Sequence, residues 1–461
     1  MKKIHFVALL SILTMALACR KNKPMPTQDF SAEYNAGGET TVYSATAFAY
    51  STPSPNLNSE NLEKHLSGDV VFEVSFTAAP NAINPGLGSV FNNKSCVACH
   101  PFDGRAPRPD NINDFSGFFL RASIPGIDTS CCFGGPKPVP GFGTQIQNQA
   151  IFGVASEAQY DVQYIETKIT YPDGNSAFLR KPIYRLVNSY IPLPSNLLLS
   201  PRIGPPVFGL GLLEAIPEED ILALADEHDS NNDGISGKAN YVWDEEHQET
   251  RLGRFGWKAN TPSVMIQSAG AYNGDMGVTS PLFPKETCYG QTNCSPHTNE
   301  LEVSQEDLDD VVLYLRTLAV PAPRNLENRD VFAGKKLFTD IGCVSCHVPK
   351  MKTGTDPDIP AISNQTIYPY SDMLLHDMGF GLADNRPDFL ANGQEWKTRP
   401  LWGIGLSQLV NGHTHFLHDG RARNFEEAIL WHGGEADPAK NTFMNLTKEE
   451  RNQVITFLKA L

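Results

Sequence analysis

Four segments of the chain carry apolar residues at helical spacing and predict amphipathic helices: residues 218–226, 304–318, 330–339 and 447–461. Two of them begin with strong start signals, because Ser304 and Thr447 are residue types that cap helices and acidic residues follow each within one turn. Pro217 precedes the first segment and Pro321 ends the second.

β-Structure is predicted in one place. Residues 161–171 and 176–187 are rich in alternating and β-branched positions, which is typical of a small hairpin. The 461 residues include 37 glycines and 34 prolines, so long loops are expected elsewhere. Apolar residues make up 41% of the chain, which is enough for packed cores.

The N-terminus resembles an export signal. Two lysines precede an apolar stretch at residues 4–18 that is too short to span a bilayer comfortably. Cys19 follows at the position expected for a bacterial lipoprotein cleavage site. We therefore expect residues 1–19 to be a lipoprotein signal peptide and the polar residues 20–58 to be a flexible tether. The mature protein is then exported, either periplasmic or anchored by lipid to the outer membrane of a bacterium.

Two short runs contain two cysteines and a histidine at the same spacing: C-V-A-C-H at residues 96–100 and C-V-S-C-H at residues 343–347. In such a run two thiols add to the vinyl groups of one haem, and the histidine reaches the iron as proximal ligand. A structural zinc site would need four ligands, and neither run has a second ligand cluster close by. The runs therefore predict two covalently attached haem c groups, held by Cys96, Cys99 and His100 and by Cys343, Cys346 and His347.

Four cysteines remain outside the signal and the haem runs: Cys131, Cys132, Cys288 and Cys294. Because an exported protein meets oxidising conditions, we expect disulfides among them. Four cysteines allow three pairings, and the sequence does not choose between them.

The order of segments repeats along the chain. Each haem run is followed by a long loop region and then by a closing amphipathic helix, and the first copy carries a large insertion. We expect a mainly α fold with two cytochrome c-like domains, long loops and a small inserted β element. The domains are expected at residues 59–322 and 323–461.

Several longer stretches resemble known proteins. Residues 401–434, with L-W-G-I-G-L and F-L-H-D-G-R-A-R-N-F-E-E-A-I-L-W-H-G-G, and residues 370–379, Y-S-D-M-L-L-H-D-M-G, are similar to bacterial di-haem cytochrome c peroxidases. G-D-M-G-V-T-S-P-L-F, F-G-W-K-A and D-G-I-S-G resemble a broader group, the di-haem oxidoreductases. The resemblance covers about residues 60–461. It implies a peroxidase-type enzyme in which a second haem passes electrons to the first.

The resemblance also implies a sixth ligand for the second haem. The peroxidases place a methionine at the end of the helix after H-D-G, and this position holds His432 here. Asn424 is expected to cap that helix, and two glycines after His432 let the chain turn away. The alternative ligands are Met351, Met373, Met378 and His376.

The first haem has no nearby candidate for a sixth ligand, because residues 101–227 contain neither His nor Met. We therefore expect an open iron, with Met276 as the distant candidate for closing it. By resemblance to a peroxidase segment that supplies a glutamine and, ten positions later, a catalytic glutamate, the catalytic residues are Gln147 and Glu157. A carboxylate at such a haem moves a proton between the oxygens of bound peroxide.

Residues 229–237, D-S-N-N-D-G-I-S-G, resemble a calcium loop with oxygen ligands at Asp229, Asn231 and Asp233. Asn240 occupies the twelfth position, where glutamate is usual, which would weaken binding. A bare turn is the alternative.

The net charge of −15 disfavours nucleic acid and a polybasic membrane contact. The expected partners are a small redox protein or another electron donor and a small-molecule oxidant, with membrane contact only through a lipid anchor. The sequence thus predicts a di-haem c-type oxidoreductase that reduces peroxide or a similar oxidant at its first haem. A non-catalytic periplasmic electron-transfer cytochrome is the alternative.

The number of haems per chain directly tests the prediction that both runs attach a haem. Because thioether bonds survive denaturation, mass spectrometry of the denatured mature protein should give the polypeptide mass plus two haems. A variant with both Cys343 and Cys346 replaced by Ala should retain one. A wild-type protein that carries one haem or none would contradict the prediction.

Overall fold

The computed structural model describes residues 30–79, 83–109, 116–129, 134–287 and 301–461. Its α-helices are α1 Ser59–Glu73, α2 Cys96–Cys99, α3 Leu210–Glu214, α4 Glu218–Leu222, α5 Val264–Met276, α6 Gln305–Thr317, α7 Arg329–Asp340, α8 Gly379–Leu382, α9 Ser407–Asn411, α10 Phe425–Trp431, α11 Asp437–Asn445 and α12 Lys448–Ala460. Short 3-10 helices lie at Ser31–Tyr34, Gly38–Thr40, Pro101–Asp103, Cys343–Ser345, Pro360–Ile362, Ile404–Leu406 and Gly434–Ala436.

The strands are β1 Val90–Phe91, β2 Phe118–Ser123, β3 Gln145–Ile146, β4 Gln149–Ala150, β5 Gln159–Thr170, β6 Ser176–Val187, β7 Leu198–Ile203, β8 Tyr241–Asp244, β9 Glu249–Leu252, β10 Met351–Lys352, β11 Thr366–Ile367, β12 Leu375–Asp377 and β13 Glu395–Lys397. In the described parts of the chain they pair into six small antiparallel sheets: β1–β4, β3–β2–β7, β5–β6, β8–β9, β10–β11 and β12–β13.

The fold is mixed, with 31% helix and 19% strand. The prediction of a mainly α protein made of two cytochrome c-like domains with one small β element is therefore wrong. The predicted hairpin is present as β5 and β6, but every other described strand has only two to six residues. Strands this short contain too few alternating positions to be recognised in a sequence.

Most predicted helices lie close to their expected bounds. Ser304 and Thr447 cap α6 and α12, and each side chain accepts a hydrogen bond from the backbone N–H three residues later. The helix predicted at 218–226 ends at Leu222, and the N–H of Asp226 donates to the carbonyls of Ser236 and Gly237 instead. No helix in the described residues is long and apolar enough to cross a membrane.

Two helix pairs flank the two haem runs. Helix α1 packs against α6 and also contacts α2, which contains the first two cysteines. Helix α7 packs against α12 and contacts the 3-10 turn Cys343–Ser345. Each haem run therefore lies beside a pair of helices that come from distant parts of the sequence.

The apolar cores do not follow the two halves of the chain. One core combines residues of α1, α5 and α6 with residues of the second half, among them Met351, Ile367 and Trp402. Another surrounds α7, α10 and α12 and includes Tyr171 from the β5–β6 hairpin. The hairpin is fixed there by a hydrogen bond from the Tyr171 hydroxyl to Glu426 Oε1, at 2.7 Å. The two haem runs are therefore held in a common framework.

Residues 30–58 form part of that framework. Ala49 and Tyr50 are fully buried, and the N–H of Val42 donates to the carbonyl of Val320. The flexible tether predicted at 20–58 therefore does not extend through this segment, because Ala36, Ala49 and Tyr50 are packed into the core although Tyr43 and Phe48 are exposed. The rest of the tether and the predicted signal lie outside the described residues.

Candidate haem sites

The first haem run forms one helical turn. Cys96 and Cys99 stand at the two ends of α2, and the N–H of His100 donates to the carbonyl of Cys96 at 2.9 Å. Both thiols are free. Burial raises the pKa of the Cys96 thiol to about 12 and that of Cys99 further, so neither is a ready thiolate. This arrangement excludes a disulfide within the run and does not favour thiol exchange.

The His100 ring is oriented by a main-chain carbonyl. Its Nδ1 lies 2.7 Å from the oxygen of Pro205. Because a carbonyl can only accept, Nδ1 must be the protonated nitrogen, and Nε2 keeps its lone pair. Burial lowers the pKa of His100 to about 4, which keeps the ring neutral. A neutral imidazole with its Nε2 available is the form that binds a haem iron.

The second haem run repeats this arrangement. The N–H of His347 donates to the carbonyl of Cys343 at 3.0 Å, and its Nδ1 lies 2.9 Å from the oxygen of Tyr370. Burial lowers the pKa of His347 to about 4. Both thiols of this run are also free. The two runs therefore present the same set of groups although one is an α-helical turn and the other a 3-10 turn.

His432 has the same ring arrangement as the two motif histidines. It ends α10, whose N-terminus is capped by Asn424 as predicted, and its Nδ1 lies 2.7 Å from the carbonyl oxygen of Ala428. Burial lowers its pKa. His432 also lies close enough to His347 to lower the pKa of that ring electrostatically. The structure thus brings two neutral imidazoles, from positions far apart in the sequence, to the second site.

The glycines after His432 allow a close contact between two chain segments. Gly434 has a φ of +57°, and a Cβ there would collide with the carbonyl oxygen of Asp377. A Cβ at Gly433 would lie 2.9 Å from the carbonyl oxygen of Met378. The end of α10 is therefore pressed against the end of β12, which fixes the position of His432.

His376, one of the alternative ligands, is held in an ionic cluster. Its Nε2 lies 2.8 Å from Asp372 Oδ2 and its Nδ1 lies 2.7 Å from Glu435 Oε2. Although burial opposes the charged form, hydrogen bonds with Asp372, Cys346 and Glu435 hold the pKa of His376 well above its usual value. Cys346, Asp372 and His376 lie near enough to share a metal ion. Both ring nitrogens are engaged by carboxylates, so the geometry favours a structural ion-pair cluster, and ligation by His376 remains an alternative prediction.

The alternative methionines occupy apolar surroundings. Met351 and Met373 are buried in the large core that joins the two halves. Met378 packs against a third cluster around the β2–β7 sheet. None of them shares the oriented geometry of His432. Which side chain ligates the second iron stays a prediction, and His432 remains its best candidate.

Near the first haem run, Gln145 and Gln147 form hydrogen bonds with the C-terminal end of α5. Gln145 Nε2 donates to Asp275 Oδ1 at 2.7 Å, and Gln147 Nε2 donates to the carbonyl of Gly274 at 2.6 Å. Asp275 is close enough to raise the pKa values of both motif thiols. Burial raises the pKa of Asp275 itself. Gln147 therefore lies near the first haem run, and Asp275 is a carboxyl that the sequence analysis missed.

Glu157 lies beside Gln147, as the predicted catalytic pair requires. Its Oε2 accepts a hydrogen bond from the Gln147 N–H at 2.8 Å, and its own N–H donates to the Gln147 carbonyl at 2.9 Å. The side chain is completely buried. Met276, the distant ligand candidate, is also buried, next to Asp275 at the end of α5.

The predicted calcium loop is closed by its own side chains. Asp229 accepts from the N–H of Gly234, and Asp233 accepts from the N–H of Ile235. Asn240 is buried and donates to the carbonyls of Lys258 and Asp388, so it does not face the loop. Calcium at Asp229, Asn231 and Asp233 stays a prediction. Cys131, Cys132, Cys288 and Cys294 lie outside the described residues.

Comparison with known proteins gives one family. Residues 30–461 match the family model described as "Di-haem oxidoreductase, putative peroxidase". Among solved structures, hydrazine synthase of Kuenenia stuttgartiensis, pressurised with xenon, matches with 21% identity over 42% of this chain and 60% of that chain. Its TM-score is 0.24, which supports no conclusion about the fold. No curated protein matches the chain.

The His376 cluster predicts a pH-dependent stability. The raised pKa of His376 means that its contribution is fully present below the ordinary value of 6.5 and is lost as pH rises through the folded-state value. Urea unfolding of wild type and His376→Gln should therefore differ most near pH 6 and progressively less at higher pH. His228→Gln, at an exposed histidine, is the control and should change stability little. A stability difference that grows with pH would contradict this assignment.

Proposed function

Because the chain belongs to the di-haem oxidoreductase family, we propose that it is a di-haem c-type enzyme that reduces peroxide or a similar small oxidant. The observation that carries this proposal is an asymmetry between the two sites. His347 has a second neutral imidazole, His432, within electrostatic reach. The pKa of His100 is shifted by burial, by the carbonyls of Pro205 and Gly104 and by Arg399, and among the described residues no histidine contributes.

The residues at both sites fit covalently bound haem. Each run presents two free thiols and a neutral histidine whose Nδ1 is held by a carbonyl. We assign attachment of one haem to Cys96 and Cys99 and of the other to Cys343 and Cys346. Haem iron supplies reversible one-electron transfer and, where a coordination position is open, a binding place for the oxidant.

At the second site, His347 and His432 act as paired ligands. Both rings are neutral because burial lowers their pKa values, and the carbonyls of Tyr370 and Ala428 fix their orientation. Two fixed nitrogen ligands favour electron transfer, since they leave no position for a substrate. With its haem bound, this site would take electrons from a small redox protein or another donor and supply them to the first site.

At the first site, Glu157 transfers the proton and Gln147 orients the oxidant. The Gln147 N–H holds Glu157 Oε2, and the Glu157 carboxylate takes a proton from one oxygen of the oxidant and returns it to the other. The Gln147 side chain is fixed by the hydrogen bond from its Nε2 to the carbonyl of Gly274, and its buried Oε1 has no hydrogen-bond partner among the described residues. That oxygen can accept a hydrogen bond from the bound oxidant and orient it.

Export and lipid anchoring at Cys19 belong to the same proposal, because bacterial haem c attachment takes place outside the cytoplasm. The acidic net charge of −15 favours a basic electron donor.

Replacing Glu157 tests the catalytic assignment. Glu157→Gln keeps the size and polarity of the side chain but removes the proton acceptor, so the turnover number with hydrogen peroxide should fall by about 10²–10⁴-fold while both haems stay attached. Steady-state peroxide assays with a reduced artificial donor measure this effect, and the exposed Glu219→Gln is the control. Unchanged turnover in Glu157→Gln would remove Glu157 from the mechanism. If the wild type neither turns over peroxide nor binds cyanide, we would conclude that the protein is a non-catalytic electron-transfer cytochrome.

Replacing His432 tests the second site. His432→Ala should convert one low-spin haem signal to high-spin in the electron paramagnetic resonance spectrum, because the iron loses one of two nitrogen ligands. His228→Ala changes an exposed histidine and should leave the spectrum unchanged. An unaltered spectrum in His432→Ala would transfer the role to one of the methionine candidates.

A further inference from the structure

Three arginines converge near Tyr50, where the first and second halves of the chain meet. Arg105 is only 6% exposed, and its Nε and Nη1 have no hydrogen-bond partner among the residues that the structure describes. Arg324 has a buried Nη1 for which the described parts of the chain offer no hydrogen-bond partner. Arg399 comes from the loop after β13. Arg105 and Arg324 both act electrostatically on Tyr50, and Arg105 acts on Arg399. The three side chains therefore belong to one cluster.

The cluster opens into a cavity between the two halves. Its walls include Tyr50, Arg105, Pro206, Arg399, Trp402 and Ser407. The cavity lies on the side of the first haem run, because Pro206 follows the residue whose carbonyl orients His100. Arg399 also lowers the pKa of His100 electrostatically.

The guanidinium groups carry uncompensated charge. In the described parts of the chain, Arg105, Arg324 and Arg399 form no ion pair with a carboxylate. Burial lowers the pKa of Arg105 to about 10, and burial together with Arg105 lowers that of Arg399 to about 9. Both groups lie against the same indole, with Cζ 5.8 Å and 5.2 Å from the centroid of Trp257. An indole face attracts a cation but does not neutralise two of them.

We infer that Arg105, Arg324 and Arg399 form a carboxylate-binding site, and that its ligand is the pair of propionate groups of the haem attached at Cys96 and Cys99. The inference rests on the haem attachment that we propose above. Propionates are the two carboxylates that such a haem carries, and buried guanidinium groups are the donors that bind carboxylates most strongly. A free carboxylate anion from solution could bind in the same way, so the experiment must distinguish it from the haem propionates.

This site sets the electrostatic environment of the first iron. Guanidinium groups that neutralise the propionates lower the negative charge close to the haem, which favours the reduced iron. Loss of one arginine leaves a propionate charge uncompensated and favours the oxidised iron. Arg105 and Arg399 would thus raise the reduction potential of the first haem and make it the better electron acceptor of the two.

The test is a potentiometric titration of the holoprotein and of Arg105→Gln, Arg399→Gln and Arg105→Lys. We expect both Gln variants to lower the midpoint potential of the first haem and leave that of the second unchanged, with Arg105→Lys between them and wild type. Arg251→Gln removes an exposed arginine from β9 and is the charge control. If Arg105→Gln does not fold, Arg399→Gln and the Lys variant carry the test. Potentials equal to wild type in Arg399→Gln and Arg105→Lys, with both haems attached, would overturn the inference.

Titration with acetate separates the two sources. Bound propionates predict that the wild-type potential is independent of acetate once ionic strength is held constant. An acetate-dependent potential that is lost in Arg399→Gln would instead assign the site to a free anion and overturn the propionate assignment. Neither readout depends on peroxide turnover. If the potentials shift as expected but the protein has no peroxidase activity, the propionate site is supported and the proposed catalytic function is rejected.

Discussion

A hydrogen bond from Nδ1 to a main-chain carbonyl fixes each of the three histidines on which both sites depend. His100, His347 and His432 use the carbonyls of Pro205, Tyr370 and Ala428, respectively. The bond determines which nitrogen carries the proton, and burial keeps the rings neutral by lowering their pKa values. Nε2 is then the available ligand in all three, and its direction is set by the backbone instead of by a flexible side chain.

Packing between distant segments keeps these carbonyls and rings in place. The Gly433–Gly434 turn lies directly against the end of β12, where any side chain on Gly434 would collide with the Asp377 carbonyl. Glu435, in the same turn, binds the His376 ring, which Asp372 holds from the other side. The His376 ring is buried, so removal of both carboxylates would leave the imidazolium charge uncompensated. The cluster therefore couples the position of His432 to the loop beside the second haem run.

The two sites differ in what surrounds the equivalent histidines. The second site has two imidazoles, an arrangement suited to electron transfer. The first has Asp275, Gln147 and Glu157 nearby, together with arginines whose charges no described carboxylate neutralises. In the proposed function, the carboxylates and arginines of the first site belong to a catalytic haem, and the two imidazoles of the second site belong to a relay haem. Family membership supports oxidoreductase chemistry, and this division supports the peroxidase-type proposal.

The sequence by itself determined the features that depend on local spacing. C-x-x-C-H places two thiols and a histidine within one turn, and the caps Ser304, Asn424 and Thr447 act within three residues, so each could be recognised from neighbouring positions. His432 was found through a family motif. The fold class could not be predicted, because the short strands acquire their partners only from tertiary contacts. The same limit applies to the partners of the histidines and to the arginine cluster: Pro205 is 105 residues from His100, and Glu435 is 59 residues from His376. Such pairs follow from the packing of the chain, which brings together groups whose spacing in the sequence carries no signal.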